Sequence, residues 1–187
     1  MTSRASLRYT IAAGLLCACG ILMPQLFHLT FGAAAGQTFL PMHIPVLLAG
    51  LLLGPFYGGC VGLVTPGMSC LLFSMPGPLK LPFMTLELAV YGVTAGVFFR
   101  LFRRLGSVRI GGSALRLYAS LLAAQLCGRA ANALAVGFAV GILGVENNAV
   151  SMTAVAASLL AGMPGVILQW LLIPPLAVAL LPHLPRK

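Results

Sequence analysis

Acid is nearly absent from these 187 residues: aspartate does not occur, and Glu87 and Glu146 are the only glutamates. With two acidic residues and three histidines, neither a metal cluster nor a paired-carboxylate site can be assembled. No nucleophile elbow and no phosphate-cradling glycine loop is present either. We therefore expect no enzyme, no metal and no cofactor. Charge of either sign is scarce, at 7% of residues, where soluble domains carry about 25%. So few charges cannot cover a water-exposed surface, and 60% of the residues are hydrophobic. The bilayer is the natural solvent, and the length suits one compact membrane domain over residues 1–187.

Cysteine chemistry is also missing. Cys17, Cys19, Cys60, Cys70 and Cys127 all lie in apolar runs, and none forms a C-x-x-C pair with histidine nearby. Neither zinc nor a disulfide frame is indicated, and small buried hydrophobes is the expectation. At the N-terminus, Arg4 and Arg8 precede IAAGLLCACGILM, a pattern shared with signal peptides. The following segment is membrane-like too, so a retained first helix suits the span count better than cleavage.

Long apolar runs are what the chain does have. About 20 residues of helix cross a bilayer core of about 30 Å. Spans fall near 9–28, 43–57, 58–75, 83–102, 114–140 and 163–182, with Gly and Pro marking the joints. Residues 149–162 are apolar but short, either a helix on the outer face or the first leg of a bent last span. With the N-terminus inside, nine of the eleven basic residues fall on the cytoplasmic side. That bias needs an even number of spans, and four would leave a long apolar stretch unplaced. The expected fold is all-α, six spans, both termini cytoplasmic. The net charge of +9 is then an orientation signal with some attraction to anionic lipid, and no nucleic-acid partner is implied.

On this topology the rare polar residues gather in the outer half. Gln37, Thr38 and His43 belong to the first outer loop or just below it. Lys80 flanks the second outer loop, and Glu146, Asn147 and Asn148 form the third. Glu87 lies about one turn into the fourth span, with Tyr91 a turn further on. Arg129 and Asn132 occupy the outer half of the fifth span, and Gln169 and Trp170 enter the last. Ionisable groups inside a membrane are costly unless paired or wetted, so they mark function by default. Glu87 and Arg129 form either an ion pair pinning two helices or part of a pocket open to the outside, and the two readings are compatible. His43 is an interface residue or a ligand contact; Asn147 caps a loop or meets ligand; Trp170 anchors at the interface or stacks. Thr65 and Ser69 share a helix face and can bond back to carbonyls freed by Pro66.

Small residues at four-residue spacing form a second theme: Gly14 and Ala18, Ala13 and Cys17, Gly58 and Gly62, Gly92 and Gly96. Such spacing lets backbones approach closely, within the chain or against another membrane protein. A channel needs polar groups through both halves of a pore. Here they stop halfway, as in a binding cup.

The stretches MHIPVLLAGLLLGPFYGGCVGLVTP, ELAVYGVTAGVFFR and AGMPGVILQWLLIPPL resemble the second-to-third helix hairpin, fourth helix and last helix of the substrate-binding S components of energy-coupling factor (ECF) vitamin transporters. The hairpin is most similar to the pantothenate-carrier branch. The resemblance implies a multi-pass protein of the bacterial cytoplasmic membrane that binds a vitamin-like small molecule from outside. It also implies docking through the first helix on a scaffold subunit with two cytoplasmic ATPases. The family's Ala-x-x-x-Ala docking motif has its nearest matches here in Gly14-x-x-x-Ala18 and Ala13-x-x-x-Cys17. Gln37, His43, Lys80, Glu87, Tyr91, Arg129, Asn132, Asn147, Gln169 and Trp170 are then the candidate substrate contacts. Pantothenate is the lead cargo, its carboxylate paired with Arg129 or Lys80; Glu87 would instead suit an amine or a ring N–H. A non-transporting membrane scaffold or a solitary proton-coupled carrier are the alternatives.

Overall fold

The computed structural model describes residues 3–32, 35–104, 112–142, 144 and 150–183. The helices are α1 (Ser3–Phe31), α2 (Ala35–Phe39), α3 (His43–Leu53), α4 (Pro55–Phe73), α5 (Leu81–Arg104), α6 (Gly112–Gly141), α7 (Met152–Ala161) and α8 (Met163–Leu180). Six segments are long and apolar enough to cross a membrane: α1, α4, α5, α6, α8, and α2 joined with α3. The fold is an all-α, six-span membrane bundle.

α3 lies at the centre. It is apolar on every side, and every residue from His43 to Leu53 except Leu52 is buried. A helix of that kind must be packed on every side, and α1, α4, α5 and α8 surround it. Its first turn accepts Pro45 without loss, because N–H groups there have no partner in the helix anyway. Its 11 residues span only about 16 Å, so the second span reaches full depth only with α2 and residues 40–42 ahead of it.

One residue joins α3 to α4. Gly54 has φ 101° and ψ 176°, a region open essentially to glycine alone, and Pro55 begins the next helix at the position that suits it. The sequence suggested a turn from Gly54-Pro55 to Gly58, with spans over 43–57 and 58–75. The chain instead reverses at Gly54, and Gly58 lies inside α4. The Arg100 guanidinium occupies the space a Cβ on Gly54 would take. Gly54→Ala should therefore cost about 1–3 kcal/mol of backbone strain and also displace Arg100. It should lower the melting temperature in detergent, and an unchanged temperature would show that the turn relaxes freely.

The small-residue spacings resolve into two faces. Gly50 of α3, Gly58 of α4 and Gly92 of α5 meet backbone to backbone, and Gly62 lies against the Leu88 carbonyl. On α1, Ala13 and Cys17 turn inward against the core, and Cys17 Sγ accepts a 3.4 Å hydrogen bond from the Thr65 hydroxyl. Gly14 and Ala18 are exposed, and a Cβ on Gly14 would meet nothing within 4 Å. The rest of that outer surface carries Leu7, Leu15, Leu22 and Leu29, as a lipid-facing helix requires.

Two expectations are corrected, and a third is resolved. None of the five cysteines is buried: Cys19 and Cys60 are exposed and Cys17, Cys70 and Cys127 half-buried; an apolar thiol facing lipid loses nothing that burial would supply. Ser69 Oγ has no hydrogen-bond partner among the described residues. The Thr65 hydroxyl donates to the Val61 carbonyl at 2.6 Å, which is not the carbonyl that Pro66 frees. Residues 152–161 form a separate helix, α7, capped by the Ser151 hydroxyl accepting from the Ala154 N–H at 3.1 Å. Gly162 ends it, and α8 starts at the next residue.

Candidate functional site

Helical spacing places the polar residues on facing surfaces. Glu87 and Tyr91 stand one turn apart on the buried side of α5. Gln125, Arg129 and Asn132 follow at i, i+4 and i+7 on α6, hence on one face. His43 opens α3, and Gln169 and Trp170 lie in the first half of α8. Glu87 is about 9 Å along α5 from Leu81, nearer two turns deep than one.

Two connected groups result. In the first, Arg129 Nη1 lies 3.1 Å from Glu87 Oε1. Asn132 Nδ2 donates a short hydrogen bond to Glu87 Oε2, and Tyr91 lies one turn further along the same buried face of α5. The His43 ring meets the Tyr91 ring edge-on, centroids 5.1 Å apart at 76°. Gly128 makes this possible, because a Cβ there would press 2.9 Å from the Tyr91 ring. His43 is buried; the Leu40 carbonyl lies beside it but out of hydrogen-bond geometry with either ring nitrogen. In the second group, Gln125 Nε2 donates to Gln169 Oε1 at 2.9 Å, and Trp170 Nε1 donates to Gln125 Oε1 at 2.7 Å. Gln169 Nε2 is buried without a partner. Trp170 also faces Tyr118, with ring centroids 6.1 Å apart.

A roof covers these groups. Gly162 and Gly165 of the α7–α8 region admit α2 closely: a Cβ on Gly165 would meet the Phe39 backbone at 2.6 Å, and one on Gly162 would meet Leu40 Cδ1 at 3.0 Å. The same Gly162 position lies 3.2 Å from Arg129 Nη2, so the guanidinium lies directly under this joint. Phe39 packs on Phe27 and Phe31 of α1, with centroids 5.5 and 5.7 Å apart.

His43, Glu87, Tyr91, Arg129 and Asn132 thus form one group and Gln169 and Trp170, with Gln125, a second, with Arg129, Asn132 and Trp170 half-buried, whereas Gln37 is exposed on α2 and Lys80 is exposed in the turn before α5. Asn147, with Glu146 and Asn148, lies outside the described residues. Gln125 joins the clustered residues through a spacing from Arg129 and Asn132 that puts all three on one face of α6. Gln25 and His28 were missed. Both stand in the outer half of α1 with a buried nitrogen lacking a partner, and their signal was two polar residues three apart in an apolar span. Among the described residues no set of three His, Cys, Asp or Glu side chains could hold a metal ion. A groove of about 530 Å³ between α4 and α5 is lined by Leu63, Gly67, Leu81, Pro82, Thr85 and Leu86 and includes none of the clustered residues.

A six-span bundle with these polar groups gathered on facing helices can bind a small polar molecule. The sequence model of the ECF transporter substrate-specific component family matches residues 8–177. The chain belongs to this family. No curated protein and no solved structure matches it significantly. As an ECF substrate-specific component it is a multi-pass cell-membrane protein, a transporter subunit rather than a member of an enzyme family. Subunits of this kind bind a small-molecule substrate and work with a membrane scaffold and ATPases.

Proposed function

We propose that this substrate-specific component captures a vitamin or related micronutrient with high affinity and delivers it inward by docking on a scaffold subunit with two ATPases. The cargo site is the region formed by His43, Glu87, Tyr91, Arg129, Asn132, Gln169 and Trp170. One observation carries this reading: His43 and Gln169 are buried with polar atoms that have no hydrogen-bond partner among the described residues. Unmet hydrogen bonds of that kind are expensive, and a ligand would meet them. Pantothenate, suggested by the likeness of the hairpin, sets the size of cargo to test first.

For docking, the exposed pair Gly14 and Ala18 fits better than Ala13 and Cys17, which the core already occupies. Small residues there let a second helix approach closely. Substituting both by Leu should reduce uptake at least tenfold and abolish co-purification of the scaffold and ATPases. Ligand binding and melting temperature should stay at wild-type values. Equal loss of binding would remove docking from this face, and undiminished uptake in cells lacking the ATPases would favour a solitary carrier.

A further inference from the structure

We infer that the cargo carries no ionised group and is held by hydrogen bonds, with an acceptor such as a carbonyl facing Gln169 Nε2 and a donor or acceptor facing His43. This rests on the cargo site proposed above and deepens it.

Charge is already balanced there. Among the described residues Glu87 and Arg129 are the only charged side chains in the cluster, and they meet at 3.1 Å. Glu87 Oε2 also accepts a hydrogen bond from Asn132, and Oε1 meets the guanidinium as an ion pair without hydrogen-bond geometry. A carboxylate or phosphate cargo would have to take Arg129 away from Glu87 and leave that carboxylate buried beside it. An ammonium cargo would strand Arg129 in the same way. Either exchange places an uncompensated charge in a medium that stabilises charge poorly.

Uncharged hydrogen-bonding capacity, by contrast, is unspent. Gln169 is 1% exposed and His43 2% exposed. Gln169 Oε1 is used by Gln125, but Nε2 donates to nothing among the described residues, and neither His43 nitrogen has a partner. A primary amide nitrogen offers two donors, and a neutral imidazole one donor and one acceptor. Those are the groups an amide, lactam or carbonyl-bearing ring would satisfy. Such a site rejects a molecule lacking the matching groups far more strongly than an apolar pocket would.

The test uses the full chain in mild detergent, immobilised and equilibrated with deproteinised yeast extract. The extract is supplemented with equal concentrations of four pairs that differ in charge: pantothenol and pantothenate, nicotinamide and nicotinate, biotinamide and biotin, riboflavin and its 5′-phosphate. Retained molecules are identified by mass spectrometry. The expected result is retention of an uncharged molecule, at least tenfold above any charged counterpart, with at least tenfold loss in Gln169→Met. Retention of an anion, cation or zwitterion would overturn the inference while leaving the proposed cargo site standing. Comparable retention of both members of a pair would also overturn it. If nothing is retained, the inference and the cargo site fall together. Should Gln169→Met fail to fold, the charge preference of the wild-type chain still decides.

Discussion

Gly92→Leu should prevent the chain from accumulating as a folded, monodisperse species in detergent. The physical reason lies in what surrounds the glycine. A Cβ on Gly92 would run into the Gly58 backbone, carbonyl included, and the Gly58 and Gly50 positions are closed just as tightly by the Gly92 carbonyl. The collision is made by Cβ itself, so no rotamer avoids it. Backbone rather than a flexible side chain lies opposite, so one of three helices has to move. Moving α3 or α4 disturbs the most buried part of the bundle, including Val46, Leu47 and Ala49, which are fully buried. Helices in a membrane lack a hydrophobic force between them and depend on close van der Waals contact, so a widened seam forfeits the main source of their association.

Gly92→Ala should cost about 1–3 kcal/mol, the usual range for overpacking, and Gly92→Leu more. Proteins are stable by only about 5–15 kcal/mol, so the larger change consumes much of that margin. Gly14→Leu is the matched control. It makes the same chemical change on a helix face where a Cβ meets nothing within 4 Å, and it should leave size-exclusion profile and melting temperature unaltered. Monodisperse Gly92→Leu protein melting like the wild type would show that the three-glycine contact is not required.

Legibility of the fold followed the same division. Six spans were readable because length and hydropathy report on the bilayer, which every span meets alone. Which small-residue stripe faces inward was not readable. Gly14-x-x-x-Ala18 and Ala13-x-x-x-Cys17 differ by a rotation of about 100° on one helix, and only packing on α3 and α4 decides between them. The same limit applied to the reversal at Gly54. Gly54-Pro55 and Gly58-Gly59 are equal turn signals in sequence, and the contact of Gly58 with Gly92 places the second pair inside a helix. At the candidate site, Glu87 and Arg129 drew attention because charge is rare in spans. Gln125, Gln25 and His28 did not, because an uncharged polar residue in a membrane helix is noticed only once its partner, or its lack of one, is known.

The ion pair yields the second large effect. Arg129→Ala should destabilise the protein by about 3–5 kcal/mol, the cost of leaving a buried charge without its partner. Glu87 is the more enclosed member, its side chain 5% exposed against 17% for Arg129, so removing the arginine strands the group with less access to solvent. Glu87→Gln alone should cost less, because the charge then left unpaired is the more solvent-accessible of the two. The double variant Glu87→Gln, Arg129→Gln should recover most of the loss seen in Arg129→Ala, since neither charge then remains to be paired. Melting temperatures of the two single variants, the double variant and the wild type form a cycle that isolates the coupling. A double variant as unstable as Arg129→Ala would mean that the arginine acts through packing rather than charge. The cycle also separates the two roles first read from the sequence. If the pair is a clasp beneath a site for uncharged cargo, the double variant should keep ligand retention within about tenfold of wild type, a change of about 1.4 kcal/mol in affinity. Complete loss of retention in a double variant that melts near the wild-type temperature would place the charges on the ligand instead.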